Sequence, residues 1–343
     1  MTVTSPTTAD TERLPPRPAH RGDFKIAILC SLPFEFGAVV ALLDHDWDIA
    51  GLSYGKAAGD PNLYYVYGVF GRHNVVLAFL GGTGKTSTVA ATAGFLTSFP
   101  NVKLALIVGV CGAVPFDPDE TGDRGEIVLG DVIVSDGIVQ YDFGRRLPEE
   151  FTHVPKQPNA EVRELLDNLR GFGGAKALEN KMVGYLDWLR LEESKEAAYP
   201  GSAQDRLFEA TYRHLTAGVS CEECGCDGEQ VPRVRFERVG TRPAVHFGLI
   251  GLGDMALESG KTRDNFAQKS GVIGFEWGSI GAWDTITCVA IKGVCDYADG
   301  HRNKVWQRYA ASTAAACAKA FLDYWTTELD IYIIVERGNQ VPA

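Results

Sequence analysis

The chain has 343 residues, 45% hydrophobic and 22% charged, an ordinary globular composition with enough apolar residues for a sizeable core. Its formal net charge is −11 with no basic stripe, which argues against a nucleic-acid partner. The longest apolar stretch, residues 104–114, contains two glycines, stops at Pro115 and is too short to span a bilayer, so no membrane association is expected.

Residues 1–22 lack an apolar signal core and read as a disordered leader, and 331–343 read as a tail. With no secretory signal, a cytoplasmic location is expected and a disulfide framework is not. Of the eight cysteines, Cys30, Cys111, Cys288, Cys295 and Cys317 lie in apolar segments, where cysteine behaves as a small hydrophobe.

Residues 24–31 (FKIAILCS) form a continuous apolar run, as expected of a parallel strand covered on both faces. Residues 33–43 follow with helical periodicity, and Pro33 suits a first helical turn. Residues 63–70 and 74–80 read as a strand pair turning at Gly71-Arg72-His73. Gly81-Gly82-Thr83-Gly84 is a glycine loop, followed by a helix over 85–96, a buried strand over 104–110 and a shorter strand over 131–136. Strands over 245–251, 272–275 and 287–294 complete the set, and 305–329 is a long alanine-rich amphipathic helix. This alternation predicts an α/β fold: a central mixed, mostly parallel sheet flanked by helices, with ligands at the carboxyl ends of the strands. Residues 23–330 read as one domain. The polar, Gly-rich and Cys-rich segment at about 172–241 reads as an insertion projecting from it.

Three stretches bear on chemistry. Gly84-Lys85-Thr86 invites a nucleoside-triphosphate loop, but the position five before Gly84 is Phe79 and the pattern fails. The glycine loop then serves either close backbone approach to a ligand or a tight strand-to-helix turn. Val108-Gly109-Val110-Cys111-Gly112-Ala113-Val114 suits either close approach of a ligand or another backbone, or else a bulge or bend. In Gly293-Val294-Cys295-Asp296-Tyr297-Ala298-Asp299, an Asp emerging from an apolar strand suits a general acid, because desolvation raises a carboxyl pKa; the alternative is a cap or turn carboxylate.

Together with Ile28-Leu29-Cys30-Ser31-Leu32-Pro33-Phe34-Glu35, Gly82-Thr83-Gly84-Lys85 and Val245-His246-Phe247-Gly248-Leu249-Ile250, these stretches resemble the nucleoside phosphorylase and methylthioadenosine/adenosylhomocysteine nucleosidase superfamily. The likeness is greatest to its fungal branch and covers about residues 24–326. The resemblance implies that Glu35 stands where the nucleosidases activate a water and Asp296 where they protonate the leaving purine. It further implies a pocket lined by Gly82, Thr83, Val110, Cys111, Gly112, Trp277 and Gly278, no cofactor for the chemistry, and a homo-oligomer.

The sequence departs from that family where it holds ribose and phosphate. Gly278 replaces the ribose-gripping Glu and Trp277 the preceding Met, and Glu276 stands two positions early, roughly 6–7 Å away along a strand. Ile107 and Val110 occupy the positions of the phosphate-binding Arg and Ser. Residues 251–256 lack the usual Ser and the residue that packs on the base. A roomier, more apolar pocket follows. The expected function is an enzyme of specialised metabolism repurposed for an apolar small molecule, performing an intramolecular, pericyclic (Diels–Alder-type) cyclisation by preorganisation. The alternatives are a working purine nucleosidase and a non-catalytic nucleoside-binding module.

Finally, His214 precedes Cys221-Glu222-Glu223-Cys224-Gly225-Cys226. His214, Cys221, Cys224 and Cys226 have the residue types of a tetrahedral structural zinc site, although not the spacing of a standard finger. Reduced surface thiols are the alternative.

Overall fold

The apolar run near the start of the chain folds as β1 (Ile26–Cys30), buried at every position between two parallel neighbours, β4 (His73–Phe79) and β5 (Leu104–Ala113). This computed structural model describes residues 14–50, 54–62, 64–81, 85–118, 125–140, 155–171, 173–191, 197–216, 219–238, 240–253, 256–277, 283 and 286–325. β3 (Tyr65–Phe70) forms an antiparallel hairpin with β4 through Gly71, whose φ of +66° is the left-handed conformation a tight turn requires. The short β2 (His45–Asp46) makes the edge.

β6 (Val132–Gln140), β7 (Val245–Gly253), β8 (Val272–Trp277) and β9 (Cys288–Asp296) complete the sheet, in the order β2-β3-β4-β1-β5-β8-β7-β6-β9. β9 also pairs with β5 in parallel, so the last five strands in that order close into a barrel. The sheet is mixed: β5–β8 and β6–β9 are antiparallel, whereas β6–β7 and β7–β8 are parallel. Each strand expected from the sequence is present. β5 runs on past Val110 to Ala113, because the small residues there remain in the ladder with β9 and β8.

Helix α1 (Pro33–Val40) follows β1, α2 (Lys85–Ser98) follows β4, and α8 (Val305–Leu322) follows β9. α8 packs on β5, β6 and β9, and nearly all of its length is buried. It ends at Leu322, short of the expected 329, of which residues 326–329 lie outside the described residues. Its end is held from the β3–β4 hairpin, where Arg72 Nη2 donates to Asp323 O (2.6 Å) and His73 Nε2 hydrogen-bonds Leu322 O (3.0 Å), while Tyr324 N and Trp325 N close a last tight turn onto Phe321 O and Leu322 O. The alanines of α8 let it lie so close to β9 that a Cβ on Gly293 would sit 1.9 Å from Ala310 O. Gly293→Ala must push helix from barrel and should cost about 1–3 kcal/mol or more. Urea unfolding should show a lowered midpoint with an unchanged slope; an unmoved midpoint would contradict this packing.

Helices between residues 160 and 270 flank the barrel, and parts of the 172–241 segment pack on the body of the domain. α3 (Ala160–Arg170) is capped by Asn159, whose side chain accepts from Val162 N (3.0 Å). α4 (Gly174–Leu191) buries Leu178, Met182, Leu186 and Leu189, one helical stripe, and packs on α8. α5 (Cys221–Cys224) is a single turn, and α6 (Val234–Arg238) is anchored to the barrel by Arg235, whose guanidinium pairs with the fully buried Asp131. α7 (Gly260–Ser270) precedes β8 and packs on it. Among the described residues no helix is long and apolar enough to cross a membrane.

Candidate functional site

Glu35 lies in the first turn of α1, directly after β1. Its Oε2 reaches back to accept from Leu32 N (2.8 Å) and Ser31 N (3.1 Å), as in a capping box. Its Oε1 accepts from Val110 N on β5 (2.9 Å). A Cβ on Gly109 would lie 2.3 Å from Oε1, so the glycine makes room for the carboxylate. At the end of β9, Asp296 Oδ1 accepts from Ala298 N (2.8 Å), and a Cβ on Gly112 would lie 2.5 Å from that oxygen. The two glycines thus admit two carboxylates. The ladder also shifts register between Cys111 and Gly112, as the bulge reading expects, and what the glycines admit closest is carboxylate side chains. Ala298 closes the turn at φ +49°, a left-handed conformation costing a non-glycine residue about 1 kcal/mol or more.

Inside the barrel, Lys292 Nζ lies 3.2 Å from Glu276 Oε1. Lys292, Glu35 and Glu276 are 1%, 3% and 4% exposed, so three charged residues share one nearly dry space. Burial raises the Glu35 carboxyl above the ordinary range, with Glu276 adding to the rise and Lys292 and the backbone N–H groups opposing it. Burial alone would depress the Lys292 ammonium, but Glu276 and Glu35 outweigh it and hold its pKa above the usual lysine value. Asp296 is likewise raised, first by burial, against the pull of Arg302 and the Ala298 N–H. The Arg302 guanidinium stands 4.9 Å over the half-buried Trp277 ring, and its Nη2 donates to Leu257 O (2.9 Å). Among the described residues Arg302 Nε and Ser31 Oγ are buried polar atoms with no hydrogen-bond partner.

The structure therefore brings Glu35, Val110, Cys111, Gly112 and Asp296 to one end of the barrel, with Trp277 beside Arg302 at the exit of β8. Gly82, Thr83 and Gly278 lie outside the described residues. Ile107 is buried in the β5 ladder between Leu29 and Ala290, where it offers an anion nothing. Glu276 serves the buried ion pair. Sequence reasoning missed Lys292 and Arg302. Lys292 carried a signal, because a lysine inside an otherwise apolar strand must find a counter-charge there.

The expected metal cluster is altered in one member. His214, Cys221 and Cys226 converge, but the fourth group is His301, from the β9–α8 connection, in place of Cys224. Chain geometry explains the exchange. Cys221 N-terminally begins the single turn of α5, Gly225 reverses the chain at φ +71°, and Cys226 N returns to Cys221 O (2.9 Å).

The family model of the phosphorylase superfamily matches residues 25–274. A nucleotide-binding leucine-rich repeat-like protein of Hyaloscypha variabilis is 31% identical over 88% of this chain, which spans 29% of that relative's length. A 5'-methylthioadenosine/S-adenosylhomocysteine nucleosidase of Mycobacterium bovis is 23% identical over 87% of this chain and 95% of its own. Among solved structures, futalosine hydrolase of Helicobacter pylori superposes with a TM-score of 0.52 at 15% identity, covering 88% of this chain and 98% of its own. The methylthioadenosine/S-adenosylhomocysteine nucleosidase of the same organism gives 0.52 at 15% identity over 89% and 100%. At such identities the structural likeness concerns the fold.

Proposed function

We propose that this chain, which belongs to the phosphorylase superfamily, is an enzyme acting on a small molecule other than a ribonucleoside at the barrel end, with Asp296 as its proton or hydrogen-bond donor. One observation carries the reading. Asp296 is 5% exposed and its pKa is raised by burial, so its carboxyl holds a proton further toward neutrality than an ordinary one. Ser31 Oγ and Arg302 Nε supply unmet polar groups to orient a substrate, beside the apolar surfaces of Val110 and Cys111 and the Trp277 ring. Ile107 and Val110 argue against phosphate, and Gly278, by resemblance, against a ribose grip.

For the reaction we favour ring closure within an apolar substrate. The pocket holds the reacting ends together, and Asp296 donates a hydrogen bond to an activating carbonyl. Hydrolysis of an N-glycosidic bond is the second reading, and Lys292 favours it. A buried ammonium beside Glu35 keeps a charged, base-like group in the barrel that a shape-only catalyst does not need. The relatives named as nucleosidases support it as well.

The deciding experiment offers inosine, adenosine and 5'-methylthioadenosine with and without phosphate and follows free base by chromatography. No phosphate-dependent release and at most slow hydrolysis are expected; efficient release would overturn the favoured reading. Gly278→Glu should then improve nucleoside binding, read as a thermal shift. On whichever substrate turns over, activity that needs the Asp296 proton should fall as pH rises through its elevated pKa. Asp296→Asn should flatten that limb.

A further inference from the structure

We propose that His214, Cys221, Cys226 and His301 hold a structural zinc ion that clamps the chain after Asp296 to the 214–226 segment. The four donor atoms lie within 4.8 Å of one another, and two sulfur–nitrogen pairs are closer: Cys221 Sγ to His301 Nδ1 and Cys226 Sγ to His214 Nδ1, each 3.6 Å. With zinc–sulfur and zinc–nitrogen bonds of about 2.3 and 2.0–2.1 Å, a tetrahedral ion sets such a pair about 3.5 Å apart. These two pairs already stand at ligand separation.

The far nitrogens support the same reading. His214 Nε2 faces Val219 O (3.0 Å) and His301 Nε2 faces Tyr212 O (3.4 Å). A carbonyl only accepts, so each ring carries its proton on Nε2 and turns the Nδ1 lone pair toward the sulfurs. This is the outer-shell arrangement that fixes a metal-binding imidazole. Rings wall the site: Tyr212 stacks on His301 at an interplanar angle of 11°, and Phe208 lies 4.4 Å from it. The backbone accommodates the approach as well, since a Cβ on Gly300 would come within 2.8 Å of His214 Cβ. Two thiolates and two imidazoles in a closed tetrahedral set select zinc and leave no open position for substrate, so the ion's role is structural.

His301 gives the site its consequence. It follows Asp296 by five residues, and a narrow cleft is lined by Phe208, Cys221, Cys295, Asp296, Tyr297 and His301. The metal therefore fixes the turn on which the candidate acid sits, whatever reaction that acid serves.

The test uses the full chain, purified under reducing conditions without chelator. About one zinc per chain is expected by mass spectrometry, falling at least ~10-fold in Cys221→Ser and in His301→Ala and retained in Cys224→Ser. Cobalt exchanged into the wild-type protein should give tetrahedral d–d bands and a thiolate charge-transfer band, a reading independent of how the variants fold. Zinc removal should speed amide exchange over residues 297–304. A metal-free wild-type protein that takes up no tetrahedral cobalt would overturn the site. Zinc lost in Cys224→Ser but kept in Cys226→Ser would overturn this ligand set, and unchanged exchange on zinc removal would overturn the clamp.

Discussion

Replacing Asp131 with Asn should cost about 3–5 kcal/mol, because it breaks a fully buried ion pair from one side. Asp131 Oδ1 accepts from Arg235 Nη2 (2.8 Å) and Ala244 N (2.9 Å). Oδ2 accepts from Val128 N (3.0 Å), pairs with Arg235 Nη1 and lies 2.9 Å from His246 Nε2. One carboxylate thus joins the starts of β6 and β7 to α6. An amide keeps the shape but removes the charge and turns an NH2 donor toward groups that are themselves donors, leaving Arg235, 2% exposed, without its counter-ion. The melting temperature should fall by on the order of 10 °C. The pH dependence gives the sign. Burial raises the Asp131 pKa, but Arg235 and His246 overcome it and hold it well below the ordinary carboxylate range. A depressed folded-state pKa contributes stability that is fully present above the unfolded value of about 3.9 and is lost as pH falls through the folded one. The deficit of the variant should therefore be constant near neutrality and shrink only in strong acid. Equal urea midpoints for the two proteins at pH 7 would refute the account.

The barrel strands were legible because strands buried on both faces must be apolar throughout, as residues 26–30 and 288–291 are. Asp296 was legible as a carboxylate at the end of such a run, and Glu35 through the family resemblance. What sequence could not supply was the pairing of charges across the barrel. Asp131, Arg235 and His246 come from three elements, as do Glu35, Glu276 and Lys292, and only the closure of β9 onto β5 makes neighbours of the second group. His301 escaped notice for the same reason. It stands 75 residues beyond Cys226, and the Cys221-x-x-Cys224 pair in the sequence drew attention to Cys224 rather than to a side chain delivered by the fold. The stripe Leu178, Met182, Leu186 and Leu189 that makes α4 a core helix went unread, because the segment around it is polar, Gly-rich and Cys-rich.

Lys292→Met should also destabilise the protein by about 3–5 kcal/mol at neutral pH, but with a different pH signature. Lys292 is the counter-charge of Glu276 at 3.2 Å and opposes the rise of the Glu35 pKa. With both carboxylates ionised, the trio carries one excess negative charge; without the ammonium it carries two, in a space nearly closed to water. The Glu35 carboxyl, raised by burial and now without the ammonium that opposed the rise, then takes up a proton that the unfolded chain gives away near pH 4. A carboxyl whose folded pKa is raised makes the folded state bind more protons than the unfolded one, so stability falls as pH rises through that window. The deficit of Lys292→Met should be small near pH 4 and grow toward neutrality, whereas that of Asp131→Asn persists down to lower pH. Adding Glu276→Leu should recover much of the loss, since a buried pair replaced by apolar groups is often close to neutral in stability. Urea denaturation across a pH series reads all three proteins. If Lys292→Met and the double variant lose equal stability at every pH, Lys292 and Glu276 are not coupled. The stability that Lys292 contributes would then not come from its pairing with Glu276.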